Sequence, residues 1–378
     1  MKVAVSMRIL FPYVGDRYGG SNESSLVMAQ ALQKIGHDPI VVTHGRGRTN
    51  EEAARRGLHV VELAPLSRHG GYDRPARARL EDFFALGPGL SAIRQLKPDI
   101  VHTNDLTMLR SWALPAFLSH TKLVSHWRAA SRVSRSISLC FRASDHIISV
   151  SSYSADYLPG WAKRKTTVEF NALEIFFNDL ERAAARKIVR ERLGLPDNAA
   201  IVGIFGNLSK RKRSHVLADV INQVHHDQSG RPVFGLVCGG PAEPLDREIY
   251  DKIDRFGLQG RLLMPGFVRP VHEWMAACDV ILAPAEKEPL ARNVLEAMAV
   301  GVPTITSSDG GLIEVIVDGE NGLILDPYET GPWADATLRI LNEPDFASRL
   351  VTHGQSFARS LAPDAHAERI SAIYDRIA

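Results

Sequence analysis

Short apolar runs rich in valine, isoleucine and leucine recur along this chain, and between them lie longer stretches whose apolar positions return every three or four residues. The first pattern fits strands buried on both faces and the second fits helices with one buried stripe. Their regular alternation predicts parallel sheets with crossover helices. In the first half the predicted strands are "KVAVSM", "DPIVVTHG", "HVVEL", "DIVHTN", "KLVSHW" and "HIISVS", and a helix over "SSLVMAQALQKIG" completes the first β-α-β unit. Around residues 171–199 the alternation pauses at an Arg- and Ala-rich helix closed by Gly194 and Pro196. It resumes with "AIVGIFGNL", "VFGLVCGG", "RLLMPGF", "DVILAPA", "VPTITSS" and "GLILD", and "PDAHAERISAIYDRIA" has the spacing of a terminal amphipathic helix.

The expected fold is therefore α/β, with two Rossmann-like doubly wound parallel-sheet domains facing across a cleft. Residues 1–175 form the first domain and 176–359 the second, and the terminal helix of 360–378 packs back on the first. Ligands of such sheets bind beyond the carboxyl ends of the strands, so the chemistry is expected there.

Composition narrows the functional classes. The 378 residues carry 45 Lys and Arg against 43 Asp and Glu, a formal net charge of +2, which lacks the basic excess of a nucleic-acid binder. Cys140, Cys238 and Cys278 are odd in number and far apart, which fits neither a disulfide framework nor a CxxC metal site and suggests a reducing cytoplasm. The start, "MKVAVSMRIL", reads as a strand rather than a signal peptide. No apolar run is long enough to span a bilayer, so any membrane contact is expected to be peripheral, at the inner face.

The most informative stretch is "EKEPLARNVLEAMAVGVP", Glu286 to Pro303. Gly301 and Pro303 end a helix predicted to begin near Ala291 or Arg292, with Val294, Leu295, Met298 and Ala299 on its buried face. Glu288 then lies in the loop before the helix and Glu296 one turn inside it. The amides of Leu290 to Val294 would point into the same space, ready for an anion or for hydroxyls. Taken alone, acidic residues here could equally serve the helix dipole.

The longer segment "EPLARNVLEAMAVGVPTITSSDGGLIEVIVDGENGLILDP" resembles the C-terminal signature of the retaining nucleotide-sugar glycosyltransferases of family 4, which have the GT-B architecture. It shares the glutamate pair, the "EAMAxGVP" helix end, the pair Gly310 and Gly311, and the "DGENGLI" turn. The resemblance runs closely over about residues 201–330 and patchily before that. It implies a nucleotide-diphosphate sugar as donor substrate, with no further cofactor, and a hydroxyl of a glycan, lipid-linked sugar or small molecule as acceptor. It implies that Glu288 holds hydroxyls of the transferred sugar and Glu296 the ribose, with Leu290, Ala291, Arg292 and Asn293 between them and Phe267 and Val268 beside the nucleotide. Leu290 and Ala291 stand where the family usually has an aromatic residue and a glycine.

In "GNLSKRKRSH" the family's usual arginine after the glycine is replaced by Asn207, while its lysine is present as Lys212. The resemblance gives that pair the diphosphate, and Arg211 and Arg213 flank the lysine as candidates for the missing charge, since a departing diphosphate is stabilised by fixed cations. In "DRYGGSNESS", Gly19, Gly20 and Ser21 can form an anion-binding turn before a helix. His126, at the end of "KLVSHW", matches a family histidine close to sugar and acceptor. His102 is a second strand-end histidine, more simply read as structural.

No two aspartates lie two positions apart, so the DxD metal motif is absent and a metal-independent reaction is expected. Arg128, Arg132, Arg135 and Arg142 are spaced like one basic helical face, a candidate peripheral membrane contact or simply a solvated surface. "SRHGGYDRPARARLEDFF" is a candidate acceptor loop. A nucleotide-sugar epimerase or a phosphorylase of the same fold and a non-catalytic two-domain sugar-binding protein are the alternatives. A dinucleotide dehydrogenase is weaker, because no GxGxxG follows the first strand.

Overall fold

The computed structural model describes residues 6–15, 18–65, 86–224, 228–242 and 245–378. Two compact units share the chain: residues 1–174 with 361–378, and residues 175–360.

The first unit is a seven-stranded parallel sheet in the order β3-β2-β1-β4-β5-β6-β7. Its strands are β1 (Arg8–Val14), β2 (Asp38–His44), β3 (His59–Leu63), β4 (Ile100–Thr103), β5 (Lys122–Trp127), β6 (His146–Ser149) and β7 (Thr166–Val168). The order reverses between β1 and β4, the point at which open parallel sheets bind ligands. Residues along β1 alternate between two cores. Ile9, Phe11 and Tyr13 join the helices Gly20–Lys34 and Pro363–Ile377, whereas Leu10 joins the helices Leu86–Leu96, Leu106–Leu118 and Arg135–Ala143. This two-sided burial explains why the strands read as near-continuous apolar runs.

The first described strand is Arg8–Val14, "RILFPYV", whose apolar run fills both cores; most of the expected strand "KVAVSM" lies on residues 1–5, outside the described part. The three-residue β7 was not anticipated, because so short a strand carries no periodicity.

The second unit is a six-stranded parallel sheet, β10-β9-β8-β11-β12-β13. Here β8 is Ala200–Phe205, β9 Val233–Cys238, β10 Leu262–Gly266, β11 Val280–Ala283, β12 Thr304–Ser307 and β13 Leu323–Leu325. The unit opens with the Arg- and Ala-rich helix Asp179–Leu193, which starts on a capping box between Asn178 and Glu181 and stops at Gly194 in the left-handed conformation. Its order reverses between β8 and β11, so the loops after Phe205 and Ala283 share one switch point. The two parallel, doubly wound sheets are those the hydrophobic pattern predicts. Among the described residues no helix is long and apolar enough to cross a membrane.

Candidate functional site

At the switch point of the second sheet, the loop after β8 tightens into a single 3-10 turn, Lys210–Lys212, and the loop after β11 runs from Pro284 to Ala291 before the helix Arg292–Ala299. The two loops are bonded together. Glu286 donates its amide to Arg211 O at 2.9 Å, and Arg211 Nη1 returns a bond to Glu286 O at 3.2 Å.

Within this frame Glu288 is buried, and its Oε2 accepts from Lys212 Nζ and from Arg211 Nη1, both at 2.7 Å. Burial by itself would raise the pKa of the carboxyl. The charges of Lys212 and Arg211, with their hydrogen bonds, outweigh that and hold it below its ordinary value. A small pocket bounded by Phe205, Lys212, Pro284, Glu288, Ala291 and Asn293 opens at this carboxylate.

Glycine is required at two places here. Gly310 has φ +85°, and a Cβ on it would come within 2.5 Å of the Glu288 carbonyl oxygen; beside it, the amide of Gly311 donates to the same oxygen at 2.7 Å. The glycine pair thus grips the backbone of Glu288 from behind. Gly206 has φ +139°, and the Lys212 ammonium packs over its open face, 4.0 Å from where a Cβ would stand. At Ala291 the backbone has φ −77°, so the glycine usual in the family is not demanded by conformation.

The turn sorts three of its four cations, Arg211, Lys212 and Arg213. Arg213 sits in the left-handed region at φ +52°, a conformation costing about 1 kcal/mol or more. It turns away from Glu288, pairing with Glu286 Oε1 at 2.8 Å, donating to Pro327 O at 2.9 Å and stacking on Tyr328 at 4.9 Å. Arg211 and Lys212 alone share Glu288. Asn207 is exposed on the loop just before them.

One turn into the helix, the half-buried Glu296 accepts from Arg292 Nε at 2.6 Å, and His272 Nε2 lies 3.7 Å away. Burial would raise its pKa; Arg292 and His272 more than offset this, so it too is lowered. The helix-start amides are not all available for a ligand: those of Arg292 and Val294 donate to Leu290 O and Ala291 O inside the turn. Asn293 Nδ2 donates to Phe205 O at 2.9 Å and ties the helix to the end of β8. Leu290 is buried, as is Val268, whereas Phe267 is exposed beneath the Arg269 guanidinium, 5.0 Å from its ring centre.

The first unit carries a second cluster at the carboxyl ends of its strands. His126 is buried at the end of β5, its Nδ1 3.2 Å from Arg128 Nη2, and its Nε2 has no partner among the described residues. Arg128 also donates from Nε to Asn104 Oδ1 at 3.0 Å and from Nη1 to Asn171 Oδ1. Asn104 in turn donates to Ser21 O at 2.9 Å. Ser21 lies in the first turn of the helix Gly20–Lys34, whose N-cap Gly19 makes no side-chain cap; Gly19 and Gly20 are both exposed.

His102 belongs to the core rather than to a site. It stacks on Phe11, and its Nδ1 meets the Tyr374 hydroxyl at 2.6 Å. The predicted basic helical face is also not formed. Only Arg135–Ala143 is helical; Arg128 is spent on the asparagines, and Arg142 stacks on Trp161 at 4.9 Å. Helical spacing was misleading because Arg128 and Arg132 lie in the loop after β5. The candidate acceptor loop, residues 67–84, lies outside the described part. Arg128, Asn104 and Asn171 were missed, although Arg128 stands two positions past a strand-end histidine, where ligand groups gather.

Comparison with known proteins agrees with this fold. The family profile described as "Glycosyl transferases group 1" matches residues 185–357, and that described as "Glycosyltransferase Family 4" matches residues 18–169. A D-inositol 3-phosphate glycosyltransferase of Corynebacterium urealyticum is 27% identical over 240 residues, 60% of this chain and 55% of that protein. The chain thus spans about half the length of the curated relatives it matches. Among solved structures, Anabaena HepE in complex with UDP-glucose superposes with a TM-score of 0.79 at 20% identity, covering 98% of this chain and 100% of that one. A sucrose-phosphate synthase of Thermosynechococcus elongatus gives 0.77 at 18% identity, covering 98% of each chain. Matched by one profile in each half and sharing the fold over nearly its whole length, the chain belongs to the group 1 and family 4 glycosyltransferases, retaining enzymes of the GT-B fold.

Proposed function

We propose that this chain moves a sugar from a nucleoside-diphosphate sugar to a hydroxyl acceptor, with retention at the anomeric carbon and with Lys212 and Arg211 in place of a divalent cation. The observation that carries the reading is the buried carboxylate of Glu288 held between those two cations at the switch point of the second sheet.

Both cations bond Oε2, which leaves Oε1 to accept from a pair of sugar hydroxyls. When a diphosphate enters, Lys212 and Arg211 lie within reach of its oxygens and stabilise the negative charge that grows as the bond from the anomeric carbon to phosphate oxygen breaks. The acceptor oxygen forms its new bond on the same face, and its proton passes to the departing phosphate. No covalent nucleophile is needed. Glu296 holds the ribose hydroxyls, with Arg292 and His272 fixing its carboxylate beforehand. Phe267 and Val268 flank the nucleotide, and Asn207 stands beside the diphosphate, with Arg211 supplying the charge an arginine there would bring. In the first unit, the family resemblance assigns Gly19 and Gly20 to a phosphate and His126 to a sugar.

The HepE complex makes UDP-glucose the first donor to try, and the curated relatives make D-inositol 3-phosphate the first acceptor. The test is hydrolysis and transfer across a panel of uridine, guanosine and adenosine diphosphate sugars. Turnover of at least one donor, cut about a thousandfold in Glu288→Ala, is expected. Absence of both binding and turnover across the panel would overturn the reading.

A further inference from the structure

We infer that Arg128 is a positioning residue for His126, fixing its imidazole as the neutral tautomer that carries the proton on Nε2 and tying it to the turn that opens the helix Gly20–Lys34. The inference rests on the glycosyl-transfer reading for its purpose, but its geometry stands apart from it.

A guanidinium has donors and no acceptor, so its approach to within 3.2 Å of Nδ1 obliges that nitrogen to accept. The ring proton must then sit on Nε2, the atom left buried and without a partner among the described residues. A buried donor without a partner is costly, and the cost is relieved when a ligand oxygen arrives. The charged and titratable groups bearing on His126 are Arg128, His102 from β4 with its ring centre 5.6 Å away, and His366 from the helix Pro363–Ile377. Burial first, and then the fixed positive charge of Arg128, oppose an imidazolium, and the pKa lies well below the ordinary histidine value. His126 therefore donates a hydrogen bond to a sugar or phosphate oxygen and does not take up a proton.

Arg128 can impose this because it is itself immobilised. Asn104, at the end of β4, and Asn171, beyond β7, each accept one of its N–H groups, and Asn104 is anchored to Ser21 O. One side chain thus couples three strand ends to the glycine turn.

Nitrogen-15 correlation spectra of the imidazole side chains in the full chain test the assignment. In the unaltered protein His126 is expected to show a protonated Nε2, a bare Nδ1 and no titration between pH 5 and 8. A protonated Nδ1, or titration in that range, would overturn the inference without any variant being made. In Arg128→Met both tautomers should appear and the kcat/KM profile should gain an ionisation between pH 5 and 8. Its kcat should fall by about ten- to a hundredfold, as when an oriented histidine loses its partner, with a smaller change in donor KM. Arg128→Lys should recover part of the loss. An Arg128→Met protein with an unchanged tautomer and pH profile would also sink the idea. If no sugar nucleotide is turned over, the glycosyl-transfer reading fails, while the spectra still decide the role of Arg128.

Discussion

The two clusters bury ionisable groups in opposite ways. Around Glu288 a carboxylate is kept charged by two cations, so its burial is compensated by Coulomb attraction and hydrogen bonds. Around His126 the imidazoles are kept neutral by burial beside a fixed positive charge. The first arrangement suits a site that must hold hydroxyls and meet an incoming anion; the second suits a rigid donor. The contrast also means that the two units respond to acid in different windows.

The largest effect expected concerns that difference. His102 and His366 both have pKa values lowered to about 3 by burial, with neighbouring cations and histidines adding to it. Between about 6.5 and 3 the unfolded chain binds a proton at each while the folded chain does not. Stability therefore rises with pH there and falls on acidification, by about 1.4 kcal/mol per pH unit for each histidine. At pH 4.5 the first unit should have lost about 5 kcal/mol from these two groups. Glu288 and Glu296 have lowered values instead, so their contribution is full above the ordinary carboxylate range and is lost only as pH falls through their folded values. Hydrogen exchange between pH 6.5 and 4.5 should show β1, β4 and β5 losing protection before β8 and β11. Simultaneous loss, or the reverse order, would remove the contrast.

Next in size, Glu288→Ala should reduce sugar transfer about a thousandfold while keeping measurable nucleotide affinity by calorimetry, because the two cations remain for the diphosphate. Gly310→Ala should act on the same carboxylate from behind. The left-handed backbone and the overlap with Glu288 predict about 3 kcal/mol of lost stability in thermal unfolding, together with lost turnover. Smaller effects separate the cations: Arg211→Ala should lower turnover about tenfold, the worth of one charge-assisted hydrogen bond. Arg213→Ala, which loses its pairing with Glu286 and its stacking on Tyr328, should change turnover less than about twofold and cost about 1 kcal/mol of stability. Equal effects from the two arginines would erase the distinction the turn draws. Glu296→Ala should weaken nucleotide binding about tenfold without changing the spread of sugars accepted.

Much of this was legible in the chain. The apolar runs that mark the strands exist because each strand is buried on both faces, and the helix after Ala291 is marked by its stripe and by Gly301. The neighbourhood of Glu288 was less so. That Lys212 and Arg211 share one carboxylate, while Arg213 turns to Glu286, depends on a left-handed residue in the turn that no spacing rule exposes. The cluster of His215, Asp246 and Glu248 was equally invisible, since His215 opens one helix while Asp246 and Glu248 stand at the start of another, some thirty residues on. In it His215 lies against Asp246 at 3.1 Å, and Lys252 bridges Glu248 and Asp219.

The sequence by itself determined the two parallel sheets and the family, because burial pattern and a long gapless motif are written locally, residue after residue. It also named Glu288, Lys212 and His126. Only the tertiary structure decided what each of them touches. Hydrogen-bond partners are set by which strand ends the sheet order brings together, and β8 with β11, or β4 with β5 and the segment after β7, are far apart along the chain. Arg128 shows the difference most plainly: by spacing it was one member of a basic face, and in the fold it is the side chain that orients His126.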